Sequence, residues 1–433
     1  LVGKVTSKGR DGPTRADQNK ALVVLKILQG QQVLFDDPWV KNLWFPPNGI
    51  MTWSDSQVST HVVTVPETPQ RPLNTSQIYA IEKMLSFKTE DHIILLRGPP
   101  GSGKTSVISR FVEIATASEH YPGIWLIAQS NIAVKNIAEK LVSVGYMKWR
   151  LLVSKDFIFD WHEHLYDAKF RDNVISSEKF FALSMSKISD SKVILCTLSM
   201  FSNFFISKFT KHIPIHTLIV DEASQIEVGS FLSVLISASK TLQKLCLIGD
   251  DKQLPPYGQE EIQDLKSVFE IDHLQNHLYL LDTQYRMPPQ MGDFISNTVY
   301  NGELKSNSKH AINDKTIACQ FIDAGGVERS ERDSYIVSIF SDSLVAMHLV
   351  LEHENTTEAS AVIKLAAFLQ TSGKSYRIVT PYDSQRNHIE ELMKGQGLSW
   401  HDKCFNVDSF QGWFLLIWLA CFYPDLLNPN YRK

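Results

Sequence analysis

The chain has 433 residues, which is too long for one ordinary domain, and its 43% hydrophobic content is enough to fill two or three separate cores. A formal charge of -4 excludes a surface that is basic all over, so any binding to nucleic acid must use a local groove. The five cysteines (Cys196, Cys246, Cys319, Cys404, Cys421) contain no Cys-x-x-Cys pair, which points to buried thiols in an intracellular, reducing compartment, cytoplasm or nucleus, rather than to disulfides or zinc.

Residues 1–72, with Pro13, Pro38, Pro46 and Pro47, show no clear period and read as the remnant of an upstream accessory domain. The chain opens on Leu1 rather than methionine, so its true start is expected further upstream. Five strand-length apolar runs follow, at 93–96, 124–128, 193–196, 217–220 and 245–248, with helical periods at 106–117, 132–144 and 231–239. Runs that are apolar on both faces require a sheet covered by helices on both sides. A doubly wound parallel lobe is therefore expected over 73–256, with an inserted helical segment at about 145–190. Ligands bind such sheets at the carboxyl ends of the strands, where Gly98, Ser130, Thr197, Asp221 and Gly249 fall.

The charged, turn-rich stretch 257–277 reads as a connection between lobes. A second lobe is expected over 278–423, from apolar runs at 278–281, 317–324, 376–380, 404–407 and 415–421 and helical periods at 290–297, 358–369 and 384–394. The run at 413–423 is too short for the roughly 20 residues that span a bilayer, and 424–433 is a tail.

Gly98-Pro99-Pro100-Gly101-Ser102-Gly103-Lys104-Thr105, followed by Ser106, is a complete phosphate loop between an expected strand and helix. Its glycines let backbone N–H groups close on phosphates, the helix start adds its dipole, Lys104 reaches the outer phosphates and Thr105 ligates magnesium. ATP and Mg2+ are the expected ligands. Asp221-Glu222 follows an apolar strand, where Asp221 would hold the metal and Glu222 would activate water. Alone, two acids in sequence could equally cap the next helix; with Lys104 in the same lobe they read as catalytic. His162-Glu163-His164 lacks i, i+4 spacing and reads as a solvated loop. Lys208, Lys211, Lys305 and Lys309 read as solvated surface, and the nine tryptophans as packing.

Asp221-Glu222-Ala223-Ser224-Gln225, Gly249-Asp250-Asp251-Lys252-Gln253-Leu254-Pro255-Pro256 and Gln284-Tyr285-Arg286-Met287 resemble helicase motifs II, III and IV. Their order is that of superfamily 1 helicases, in the clade resembling the nonsense-mediated-decay RNA helicase. Leu73-Asn74-Thr75-Ser76-Gln77, Ser130-Asn131-Ile132-Ala133-Val134, Asn355-Thr356-Thr357-Glu358-Ala359, Thr380-Pro381-Tyr382-Asp383-Ser384-Gln385 and Val407-Asp408-Ser409-Phe410-Gln411-Gly412 extend the likeness over about 73–412.

The resemblance implies two tandem RecA-like P-loop lobes and an ATP-dependent helicase or translocase on single-stranded RNA or DNA. It implies that Gln77 and Tyr285 contact adenine, that Gln253 senses the γ-phosphate, and that Arg286 reaches from the far lobe to the transferred charge. The bland reading of Tyr285 is a packed aromatic and that of Arg286 a surface ion pair, each the minority reading here. Ser130, Asn131, Ala133, Thr197, Ser199, Pro381, Asp408 and Ser409 stand where the family touches the nucleic-acid backbone, and small polar groups suit such contacts.

The likeness breaks twice. Residues 336–354 are an atypical, mostly apolar insertion, and after Gln411-Gly412 the chain reads on through Phe414 and Pro424, where the family has a glutamate and the motif VI arginine. The expectation is a chain that binds ATP and magnesium but hydrolyses slowly. A catalytically weak module that uses ATP only to switch its grip on nucleic acid stays open as the alternative; an ATPase acting on protein alone is weakened by the Ser130-Asn131-Ile132-Ala133-Val134 and Gln284-Tyr285-Arg286-Met287 stretches.

Overall fold

The computed structural model describes residues 15–30, 37–49, 51–53, 65–66, 72–155, 157, 168–259, 262, 264–310, 329–333, 350–374, 376–380, 382–401, 403–406 and 418–420. The chain divides into two compact units, Leu1–Cys319 and Gln320–Lys433.

The first unit is built on strands β1 (Ile93–Arg97), β2 (Ile124–Ala128), β3 (Trp149–Val153), β4 (Val174–Ser176), β5 (Val193–Thr197), β6 (Thr217–Asp221), β7 (Lys244–Gly249) and β8 (Leu278–Leu280). They form one eight-stranded sheet in the order β4-β3-β5-β2-β6-β7-β1-β8. All seven pairings are parallel. Its longer helices are α1 (Arg15–Leu28), α2 (Pro38–Trp44), α3 (Thr75–Leu85), α4 (Lys104–Ala117), α5 (Asn131–Ser143), α6 (Ile206–His212), α7 (Leu232–Ala238) and α8 (Pro289–Val299).

Successive strand residues alternate between two buried clusters, as a period of two requires. Ile93, Leu95, Trp125, Ile127, Leu218 and Val220 enter one core with Trp39 and Leu43 of α2 and Phe209 of α6. Ile94, Leu96, Leu126, Ile219 and Ile248 enter the other with α3, α4 and α5. Asn74 opens α3 with a capping box to Gln77, Gly103 at φ 88 turns the chain into α4, and the Ser130 side chain caps α5.

Three expectations are corrected. In the run at 278–281, expected in the second lobe, Leu278–Leu280 pair with β1 at the edge of the first sheet. An apolar run fixes that a strand forms but not which sheet takes it. The segment 145–190 contributes β3 and β4 to that sheet, with only short helical turns among its described residues, because the run Trp149–Val153 is buried along its whole length. Residues 38–44 and 268–274, read as remnant and connection, supply Trp39, Leu43, Val268, Phe269 and Leu274 to the first core.

The second unit holds an antiparallel pair, β11 (Arg329–Asp333) with β12 (Val350–Glu354), and a parallel sheet β14-β13-β15 of Cys404–Asn406, Arg377–Thr380 and Trp418–Ala420. Helices α9 (Thr356–Thr371) and α10 (Asp383–Gly395) pack on it through Ile363, Ala366, Ile389 and Met393. The segment beyond Gly412 thus still adds β15 beside β13. The run 317–324 lies outside the described residues. The short parallel pair β9 (Thr283–Gln284) and β10 (Lys305–Ser306) belongs to the first unit. Among the described residues no helix is long and apolar enough to cross a membrane.

Candidate functional site

The carboxyl ends of β1, β6 and β7 lie side by side in the sheet, and the motif residues gather there. Gly98 N–H donates to Gly249 O at 2.8 Å, which ties the phosphate loop to the end of β7. Gly101 and Gly103 take φ of 75° and 88°, conformations that side chains rarely adopt, and α4 begins immediately after them. Lys104 folds back over the loop: its Nζ donates to Gly98 O at 2.9 Å and stands 3.7 Å from Glu222 Oε1. A side chain at position 98 would run into the Lys104 stem. The result is a cradle of backbone with one ammonium across its mouth. Two buried polar atoms beside it, Ser102 Oγ and Glu222 Oε2, have no hydrogen-bond partner among the described residues. Buried polar atoms are normally satisfied, so these orphans and the glycine loop at the start of α4 fit a polyanion and its cation.

Asp221 ends β6 and is buried. Burial first, then the neighbouring Glu222 charge, pushes its carboxyl upward, while Lys104 pulls the other way. A divalent cation would reverse that balance, since it favours the carboxylate. Glu222 sits at φ 53°, a left-handed conformation costing about 1 to 2 kcal/mol for a residue with a side chain, and its N–H donates to Asp221 Oδ1 at 3.0 Å. That bend sets the Glu222 carboxylate against Lys104. Thr105, half-buried at the start of α4, and Asp221 are the residues suited to magnesium, which needs few protein ligands.

The loop after β7 is organised by Asp250, which is fully buried. Its Oδ2 accepts from Gln253 Nε2 at 2.6 Å and from the Tyr300 hydroxyl at 2.5 Å, and its Oδ1 accepts from Lys252 N at 3.2 Å. Asp250 N–H donates to Ser224 Oγ at 3.1 Å, linking this loop to the turn after Glu222. Arg97 clasps Asp251 through two hydrogen bonds of 2.5 and 3.1 Å. Tyr300 was not anticipated, and no local signal in the sequence could have found a partner 50 residues away.

On the other side of the cradle, Gln77 Nε2 donates to Ser102 O at 2.9 Å and its carbonyl accepts from Asn74 N at 3.1 Å. Asn74 Nδ2 donates to the Tyr285 hydroxyl at 2.8 Å, and Tyr285 N–H donates to Gly101 O at 2.9 Å. Arg286 is thereby held against the loop: a side chain at position 101 would collide with its Cβ and stand 2.9 Å from its backbone nitrogen. Burial works against the Arg286 charge and the Glu222 carboxylate supports it. Arg286, expected from a far lobe, lies within the same compact unit as the phosphate loop. The physical cause is β8, which docks beside β1 and delivers the next residues to the cradle.

Ser130 and Thr197 cap helical turns, accepting from Ala133 N and Met200 N at 3.1 Å each. The register pairs Ala128 with Thr197, so both caps stand at the same carboxyl edge, with Asn131 and Ser199 exposed beside them and Ala133 half-buried. Pro381, Asp408 and Ser409, and the His162-Glu163-His164 run, lie outside the described residues. In the second unit Gln385, fully buried, clasps the backbone of Asn355, accepting from its N–H at 2.9 Å and donating to its carbonyl at 3.1 Å. Among the described residues no group of three or more His, Cys, Asp or Glu could hold a metal alone.

Two family models, each described as an AAA domain, match residues 81–259 and 264–413. The chain is 27% identical over 395 residues to the ATP-dependent helicase upf1 of Schizosaccharomyces pombe, covering 81% of this chain and 40% of that protein. It is 26% identical over 437 residues to Regulator of nonsense transcripts 1 of Caenorhabditis elegans, covering 91% of this chain and 38% of that protein. It is also 24% identical over 405 residues to the DNA polymerase alpha-associated DNA helicase A of Saccharomyces cerevisiae, covering 78% of this chain and 58% of that protein. The chain thus spans less than two thirds of each of these relatives. With AAA domains over most of its length and a phosphate loop, acidic pair and Gln-Tyr-Arg-Met stretch built into one site, it belongs to the superfamily 1 helicases, in the group resembling the nonsense-mediated-decay helicase.

Proposed function

We propose that this chain is the motor part of an ATP-dependent nucleic-acid helicase or translocase that couples ATP hydrolysis to movement on single-stranded RNA or DNA. The observation that carries the reading is the convergence of Lys104, Glu222 and Arg286 on one glycine cradle. Lys104 and the loop amides would bind the phosphates, and Thr105 and Asp221 would hold magnesium, which supplies charge neutralisation at the phosphates when bound. Gln77 and Tyr285 would flank the adenine. Glu222, with one carboxylate oxygen unpartnered among the described residues, would accept a proton from water; Gln253, braced on Asp250, would sense the outer phosphate; Arg286 would stabilise transferred charge. Ser130, Asn131, Ala133, Thr197, Ser199, Pro381, Asp408 and Ser409 would contact the nucleic-acid backbone. The described cysteines, Cys196, Cys246 and Cys404, are free and buried, which suits an intracellular setting in cytoplasm or nucleus.

A second reading, an ATP-switched binding module with weak turnover, is favoured by Phe414 and Pro424 standing where the family has its glutamate and last arginine. ATP hydrolysis measured with and without single-stranded RNA and single-stranded DNA decides between them. The proposal expects slow turnover that either polymer stimulates and that Lys104→Ala abolishes. Nucleic-acid binding that responds to ATP with no hydrolysis above the Lys104→Ala level would establish the switch instead.

A further inference from the structure

We propose that an aromatic platform formed by Phe181, Phe204 and Phe205, with Lys211 beside it, extends the nucleic-acid path and stacks the bases of a single strand. The inference rests on the nucleic-acid reading above and names a subsite within it. Phe181 and Phe204 are 79% and 74% exposed, although large apolar side chains at such exposure are ordinarily scattered singly. Here they are grouped, with the Phe205 ring 6.0 Å from Phe181 and 5.4 Å from Phe204.

The group is held from below. Phe180 and Phe209 are fully buried with rings 4.8 Å apart, so they anchor both segments that carry the platform. Lys208 stitches those segments together: its Nζ donates to the carbonyls of Phe180, Phe181 and Leu183 at 3.2, 3.1 and 2.7 Å. Exposed rings on a fixed base lose little freedom when a flat partner lies on them.

The chemistry of the surroundings selects the partner. Lys208 also lines a hollow of about 370 Å³ with Met185, Ser207, Lys211 and His212. Lys179, Lys187 and Lys211 are exposed and have no ion-pair partner among the described residues. The neighbouring acids Glu178 and Asp190 are already engaged, by Lys155 at 2.9 Å and by Arg150 at 2.8 Å. Exposed aromatic rings with unspent cations on the same chain segments are what a phosphate-linked chain of bases requires, since every base has a face to stack and every link a charge. The topology supplies continuity. β4 and β5 are parallel strands of one sheet, so Phe181 beyond Ser176 and Phe204 beyond Thr197 follow from the same edge that carries Ser130, Thr197 and Ser199.

Fluorescence anisotropy with a labelled 20-nucleotide oligo(U) and oligo(dT) tests this. A stacked base removed by alanine weakens binding about 5- to 150-fold, so Phe204→Ala and Phe181→Ala are expected to fall in that range. Phe204→Tyr should restore most of the affinity, and Lys211→Ala should flatten the salt dependence by about 0.7 in log-log slope. Melting curves check that each variant is folded. If the wild-type chain binds oligonucleotide and folded Phe181→Ala and Phe204→Ala bind as tightly, the platform is overturned and a protein partner becomes its better occupant, while the helicase reading stands. If the wild-type chain binds neither oligonucleotide, both fail together.

Discussion

Gly101→Ala is a perturbation whose consequence can be worked from the cradle. At φ 75° an alanine costs about 1 to 2 kcal/mol from its own backbone alone. Its Cβ would also collide with Arg286 Cβ and stand 2.9 Å from Arg286 N, and neither atom belongs to a flexible side-chain end. The loop must therefore release the 2.9 Å bond from Tyr285 N–H to Gly101 O, and Arg286 must leave its place beside Glu222. An arginine that stabilises transferred phosphoryl charge is worth 10³ to 10⁵ in rate, or about 4 to 7 kcal/mol of barrier. Partial displacement should still cost at least about 100-fold. The assay is single-turnover ATP hydrolysis by the wild-type chain, Gly101→Ala, Arg286→Ala and the double variant. Because the two changes act on one contact, the double variant should be no worse than the more damaged single one. Wild-type turnover in Gly101→Ala, or losses that multiply in the double variant, would refute the reasoning.

Tyr300→Phe removes one of two donors to buried Asp250 Oδ2 and loosens the Gln253 carboxamide, so kcat should fall about tenfold with KM for ATP little changed. A matching rise in KM, or a lower melting temperature with no effect on kcat, would count against the brace. Glu222→Gln keeps the side-chain shape but removes its charge; nucleotide binding should persist while hydrolysis drops by roughly 100-fold or more, measured by equilibrium binding and phosphate release. Burial pulls His216 from the ordinary imidazole value down to about 4, so the unfolded chain takes up that proton first as pH falls. Its contribution to stability is complete above about pH 6.5 and is lost progressively towards pH 4. Melting temperatures at pH 7 and 5 should therefore differ more for the wild-type chain than for His216→Phe.

The central strands were legible because each is a short run apolar on both faces, and the phosphate loop because its chemistry demands glycines and lysine at fixed spacing. Lys104, Asp221 and Glu222 could be named from the phosphate loop and the acidic pair, whereas Gln253 and Arg286 were implied only by the family resemblance; all five lie in the first unit. Pairing between distant segments was not legible. The run at 278–281 reads as a strand either way, yet its place beside β1 decides which unit holds Arg286. The segment 38–44 lacks a periodic signal in the sequence, although Trp39 and Leu43 prove fully buried. Asp250 stood in a recognisable motif, but its bond to Tyr300 depends on where α8 ends relative to β7.

The most direct measurement is isothermal titration of the purified chain with ATP in the presence and absence of Mg2+, for the wild type and Lys104→Ala. One site per chain is expected, tighter with magnesium and lost in Lys104→Ala. No binding by the wild type, or equal binding by the folded variant, would contradict it.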